Sequence, residues 1–283
     1  MQKPKLTPYP KSETAFYDWG WRTMSPMFRG GQYDLPHRHH FGMLHVFNQG
    51  TIQPAQGYPM HPHQNMEIVT IPIKGQWEHK DSEGNLIHFG DGEVQIMSAG
   101  TGMAHSEFNA SQTNPLTTMQ FWLHTNEPNS APRYEWFRYA NHLRQNHFTP
   151  LVQPLRPPRL SRQESIGRDE GVDGPENDAQ EGARILQNAW FSIGRFDQGA
   201  PFSYALKGAT NLQNGQSGRK YGVFAYVLAG EFLLEGVKIS AKDALGIENT
   251  DAISGTSLTP DAQLLLVEVP MDCLLYTSDA ADE

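Results

Sequence analysis

Cysteine is all but absent: Cys273 is the only one in 283 residues. Ahead of it there can be no disulfide to staple the fold and no thiolate to bind a metal, which leaves nitrogen and oxygen donors. Long apolar runs are missing as well. The stretch up to Pro10 carries Lys and Pro without an apolar core, so neither a signal peptide nor a membrane-spanning helix is expected there. The expected location is the cytoplasm. Clustered positive charge is the third absence. Twenty-two Lys and Arg stand against 31 Asp and Glu, a net charge of -9, and no basic cluster breaks that balance. Electrostatically driven nucleic-acid binding is therefore excluded. Histidine stops at His147, so an imidazole site must lie in the first half.

The first half carries two short segments about forty residues apart, His61-Pro-His63 followed by Glu67, and His105-Ser-Glu107 followed by Asn109. Side chains alternate along an extended strand, which puts His61, His63 and Glu67 on one face, and likewise His105 and Glu107. Between them lie strand and turn signals: Ile68 to Ile73, Gly75 to Lys80, the turn Asp81 to Asn85, Leu86 to Phe89, Gly90-Asp-Gly92, and Glu93 to Ser98. Such a meander brings its two ends together. Imidazoles and carboxylates then converge on one point, as a divalent transition metal requires.

This order resembles the two cupin motifs, with His61, His63, Glu67 and Gly75 in the first and Gly92, Gly100, His105 and Asn109 in the second. Ser98 stands where the motif has proline, and four residues rather than two separate Gly100 from His105. The longer runs at 61–70 and at 97–107 (Met-Ser-Ala-Gly-Thr-Gly-Met-Ala-His-Ser-Glu) are similar to the pirin family, as are Glu78 to Asn85 and Gln120-Phe-Trp-Leu123. The likeness covers roughly residues 40 to 138 and continues weakly to Pro270. It implies an all-β fold of two tandem cupin (jelly-roll-like) barrels, a bicupin. It also implies one mononuclear metal held by His61, His63, His105 and Glu107. The generic cupin pattern would nominate Glu67 as the fourth ligand instead. The matched run is longer around Glu107, so Glu67 is expected to orient a ligand imidazole or face the substrate.

The rest of the chain reads as a repeat of the first barrel. Thr70 to Gln76 is echoed by Ala225 to Glu231, and strand-like runs close each half between Glu93 and Leu123 and between Ala244 and Val269. The expected division is a metal-binding barrel at 1–150, a charged linker at 151–182, a metal-free barrel at 183–272 and a tail at 273–283. The linker, rich in Pro, Arg, Asp, Glu and Gly, has no apolar periodicity. The tail reads as the translation of a sequencing-library adapter, so the native gene is expected to be cut near Asp272. Without that tail the net charge moves from -9 to -6 and the one cysteine disappears.

Iron(II) is the expected metal. Manganese, cobalt, nickel, copper and zinc are also compatible with three imidazoles and a carboxylate. The resemblance implies quercetin 2,3-dioxygenase chemistry, with a small aromatic substrate and O2 as partners and Glu107 as the catalytic base. A second reading is a non-enzymatic, iron-dependent redox regulator that binds a transcription factor or a metabolic enzyme. A third is another small-molecule cupin reaction, since fold does not fix function. Other residues are given ordinary roles. His37, His39 and His40 are read as a solvated loop, His79 as a polar residue on the barrel surface or across a strand pair, and Phe121, Trp122, Trp136 and Phe137 as core. Pro72 cannot donate to a ladder, so its position is expected to be an edge or a bulge. The Trp19 to Phe28 opening departs from that of close bacterial pirins, so the N-terminal wall of the pocket is expected to differ.

Overall fold

A computed structural model of the chain describes residues 3–28, 38–155, 182–208 and 220–271. They form two β-barrels, each built from a seven-stranded and a four-stranded sheet. In the first barrel the large sheet runs Arg133–Arg138, Glu93–Ser98, Met66–Lys74, Leu116–His124, Leu44–Ile52, Arg22–Pro26 and Tyr17–Asp18. The small sheet runs Gly57–His63, Met103–Asn109, Gln76–Asp81 and Leu86–Gly90. The all-β, two-barrel architecture is the one the resemblance implies.

Strand alternation explains how the barrels join. In Met66–Lys74 and Leu116–His124, Val69, Ile71, Met119, Phe121 and Leu123 enter a core shared by both barrels. Their neighbours Ile68, Thr70, Gln120 and Trp122 point the other way, into the first barrel. The strand Tyr221–Ala229 does the same from the opposite side: Phe224 and Tyr226 join the shared core, while Val223, Ala225 and Val227 line the second barrel with Phe232, Leu264 and Leu266. Phe224 sits at the centre of the seam, its ring 5.1 Å from those of Tyr9 and Phe28 and 5.5 Å from that of Phe41.

The local signals acted where expected. The turn at Asp81 to Asn85 folds Gln76–Asp81 onto Leu86–Gly90, and the Asp81 carboxylate accepts from the backbone N–H groups of Glu83 and Asn85. In the echoed hairpins Gly75 (φ 100°) and Gly230 (φ 75°) supply the left-handed residue between strands. A register shift skips Ile73 between Pro72 and Lys74, so the proline stands at a bulge.

Two segments cross the division made at residue 150. Lys5–Tyr9 pairs with Ala244–Glu248, and His147–Pro154 pairs with Trp190–Phe196, so both belong to the large sheet of the second barrel. The linker expected from residue 151 thus begins inside a strand. Leu151 and Val152 are fully buried in the shared core, a short apolar pair masked in the sequence by the prolines on either side. Residues 156–181 and the tail from 272 lie outside the described residues.

A buried carboxylate lies in the second barrel. Glu268 has no exposed surface and accepts from Gly208 N (2.6 Å), Lys207 N (3.0 Å) and the Tyr204 hydroxyl (3.1 Å). Burial raises its pKa above the ordinary carboxylate value, against the pull of those donors. A raised folded-state pKa means the unfolded chain ionises first, so stability falls as pH rises from about 4.5 through the folded value. Glu268→Gln is expected to remove that share of the slope. Thermal melts of both proteins between pH 4.5 and 8 check it, and identical slopes would refute it.

Candidate metal centre

The small sheet of the first barrel gathers the site. Met103–Asn109 is its second strand, flanked by Gly57–His63 on one side and Gln76–Asp81 on the other. Its burial alternates, with Met103, His105, Glu107 and Asn109 turned inward. His105 pairs with His61 on one flank and Asp81 on the other, while Glu107 pairs with His79. The register shifts between His105 and Glu107 on the His61 side. At that shift Gly57 passes so close that a Cβ there would lie 2.2 Å from the Glu107 carbonyl oxygen.

The imidazoles of His61, His63 and His105 meet with ring centroids 4.5 to 5.0 Å apart. Their donor atoms lie within 4.8 Å of one another, as do those of a second triad, His79, His105 and Glu107. His105 belongs to both. Neither of its ring nitrogens has a hydrogen-bond partner, nor has His63 Nε2, although all are buried. Buried polar atoms are rarely left unpaired, and bare imidazole nitrogens facing one another are what a cation would satisfy. The donors fit a divalent transition metal.

The electrostatics agree with that fit. Burial and the neighbouring His61 push His63 down to about 4, and burial followed by repulsion from His61, His63 and His79 holds His105 far below the ordinary imidazole value. The His63 and His105 rings are therefore neutral, with lone pairs available. Burial pushes the Glu107 carboxyl up to about 7, opposed by the Gln120 amide. Gln120 Nε2 lies 3.0 Å from both Glu107 oxygens, and Gln120 Oε1 accepts from the Trp122 indole N–H at 3.0 Å. Because an indole can only donate, Trp122 fixes which end of the Gln120 amide faces Glu107.

The sequence placed His61, His63, His105 and Glu107 near one another but missed what surrounds them. His79 is fully buried, so of its two expected places the barrel surface falls and the cross-strand one, opposite Glu107, holds. Its place comes from the pairing of its strand with the strand of Glu107, which local pattern does not show. Trp122 is half-buried at the margin of a small core of Ile68, Met97, Ala99 and Met103, edge-on to His63 with centroids 5.0 Å apart. Trp136 is 46 % exposed, on the edge strand of the large sheet, whereas Phe121 is core, stacked on Phe47.

Glu67 requires a correction. Asn65 takes a left-handed φ of 52°, so the run from His61 to Glu67 is not one strand, and the phase of alternation resets. Glu67 pairs with Leu123 on the face of the shared core, away from the imidazoles. Its carboxylate accepts from Ser98 Oγ at 2.7 Å and from Leu186 N of the second half at 3.2 Å. It joins the two halves and orients no ligand imidazole. Asn109, from the second motif, ties a turn by donating to the Ile52 and Asn114 carbonyls. His39 and His40 are exposed as expected, while Arg38 between the flanking histidines is buried against Glu13, and His37 lies outside the described residues. The Trp19 to Phe28 segment packs on the strand that carries His61: Trp21 lies edge-on to Tyr58, and Arg22 donates to the Tyr58 hydroxyl.

Comparisons with known proteins agree with this architecture. Residues 22–123 match the Pirin family model and residues 174–269 match the model of the quercetinase C-terminal cupin domain. Quercetin 2,3-dioxygenase of Escherichia coli (strain K12) is 30 % identical over 261 residues, 92 % of this chain and 96 % of that protein. The crystal structure of YhhW from Escherichia coli superposes with a TM-score of 0.77 at 27 % identity, covering 94 % of this chain and 98 % of that one. The bacterial pirin YhhW in complex with nickel(II) gives a TM-score of 0.76 at 27 % identity, covering 94 % and 99 %.

Proposed function

This chain belongs to the pirin family, and from that membership we propose that it is a metal-dependent dioxygenase that opens the ring of a flavonol such as quercetin, or of a related aromatic. The observation that carries the reading is a triad of imidazoles, His61, His63 and His105, in which His63 Nε2 and both His105 nitrogens are buried without a hydrogen-bond partner, with the buried Glu107 carboxyl group beside His105. His61, His63, His105 and Glu107 would hold the metal. Iron(II) is the proposed ion, with nickel supported by the relative that binds it. When bound, such a metal supplies Lewis acidity to a substrate oxygen and a route for electrons to O2.

The protein's own residues have separable tasks. Glu107 takes the proton of the flavonol 3-hydroxyl, a role for which its raised pKa suits it. Gln120 donates to the carboxylate and keeps it in place, and Trp122 keeps Gln120 in its orientation. The exposed side chain of Met60 and the half-buried Tyr58 flank the His61 side, where an aromatic substrate would enter. O2 then adds across the deprotonated central ring, which opens and releases carbon monoxide. No helix among the described residues is long and apolar enough to cross a membrane.

Oxygen uptake with quercetin tests the reading, using protein loaded anaerobically with iron(II) beside a His61→Ala control. Uptake and carbon monoxide release that vanish in the control support a dioxygenase at this site. Iron bound without turnover would move the weight to a redox regulator or another substrate. Glu107→Gln is expected to keep more metal than activity, with turnover falling by about 100-fold or more. Equal loss of both would remove the proton-accepting role.

A further inference from the structure

One imidazole outside the proposed ligand set is wired for a cation. His79 is completely buried, and its Nε2 lies 3.0 Å from Asp81 Oδ2. The Asp81 carboxylate already accepts from Glu83 N, Asn85 N and Asn85 Nδ2. An ionised carboxylate can only accept, so His79 Nε2 carries the proton and Nδ1 the lone pair. Nδ1 is buried and has no hydrogen-bond partner. The Tyr134 ring, stacked on His79 at 4.5 Å and 28°, fixes the plane of the imidazole. A carboxylate on one ring nitrogen and a bare lone pair on the other is how proteins prepare a metal-binding histidine.

Further donors lie close to that ring. A ring nitrogen of His79 lies within 4.8 Å of donor atoms of His105 and Glu107, and His105 Nδ1 is 3.8 Å from Glu107 Oε1. Gln120 donates to Glu107, but the structure records no positive group among the described residues between these three groups. Bare lone pairs and a carboxylate that crowd together in a dry interior repel unless a cation lies among them.

We propose that His79, His105 and Glu107 form an inner position for a divalent transition metal ion, an alternative to the outer position lined by His61, His63 and His105. Both positions need His105, so one ion occupies one or the other. The inner donors are all buried, whereas His61 and His63 are partly exposed, so an ion held there is withdrawn from a substrate that enters past His61. The inference rests on reading this cluster as a metal centre and is independent of the reaction catalysed.

Equilibrium dialysis of the full chain with nickel(II), read as metal per chain together with the ligand-field spectrum, tests it. The double variant His61→Ala/His63→Ala is expected to retain one nickel per chain, bound about ten- to hundred-fold more weakly. Adding His79→Phe keeps a ring against Tyr134 but removes both nitrogens, and is expected to take binding below detection and abolish the spectrum. Circular dichroism checks that all variants fold. A folded double variant that binds no nickel, or a triple variant that binds like the double, overturns the inner position. A double variant of undiminished affinity would instead sink the outer ligand set and leave the inner one standing.

Discussion

His105→Ala is expected to leave a folded protein that neither binds metal nor turns over substrate. His105 is the one residue common to both donor triads, and each of its ring nitrogens is buried without a hydrogen-bond partner. His61→Ala or His63→Ala leaves the inner triad whole, and His79→Phe leaves the outer one whole. Among the imidazoles, only at His105 does one substitution break both. The affinity loss should exceed about 100-fold, beyond that of removing a residue that merely supports a ligand. The fold should tolerate the change, because the imidazole makes no hydrogen bond that holds the barrel together. Metal analysis after dialysis against one equivalent of iron(II) or nickel(II) reads the result. His88→Ala, at an exposed imidazole bonded only to Glu78, serves as the control. Metal content in His105→Ala equal to that of the control would remove the site from this strand.

That concentration of function on one strand explains what the sequence revealed. Alternation along Met103–Asn109 is uninterrupted, so His105 and Glu107 could be put on one inward face from sequence alone. The same logic failed for Glu67, because one left-handed residue, Asn65, ended the strand and reversed the face on which every later residue lies. A one-residue change of phase is enough to send a carboxylate from the metal pocket to the seam between barrels. That His79 belongs to the site was missed for a related reason. Its place beside Glu107 comes from the register of Gln76–Asp81 against Met103–Asn109, a pairing between strands more than twenty residues apart that local pattern does not encode. Likewise Gln120 and Trp122 follow the period of their strand, but only the distances from the indole to the amide and on to Glu107 reveal that they act in series.

The fold was legible where burial is one-sided. Hairpins at Asp81 to Asn85 and Gly90 to Gly92, and the bulge at Pro72, follow from residues whose backbone preferences leave little choice. The exchange of terminal segments was not legible. Lys5–Tyr9 is a short strand with two apolar residues among five, and nothing in it names Ala244–Glu248, more than 230 residues later, as its partner. What pins it is Tyr9, whose ring meets Phe28 and Phe224 in the shared core.

Phe224→Ala should therefore cost more than an ordinary core truncation in one barrel. The ring is fully buried and packs against Tyr9 from the N-terminal strand, Phe28, Phe41 and Phe47 from the first half, and its own sheet from the second. Truncating a buried phenylalanine to alanine costs about 3–5 kcal/mol, through lost burial and the cavity left behind. Four aromatic neighbours held by three separate stretches of chain cannot all move inward together, so the upper end of that range is expected. The melting temperature should fall by on the order of 10 °C. Because the core on either side of Phe224 belongs to both barrels, hydrogen exchange should speed up in Leu116–His124 and Ala262–Pro270 alike. Phe196→Ala provides the contrast, since Phe196 is equally buried but lies in the interior of the second barrel. It should loosen the second barrel first and leave Leu116–His124 protected. If Phe224→Ala also spared Leu116–His124, the two barrels would be independent folding units that merely touch. The shared core would then contribute little to the stability of the metal-bearing half.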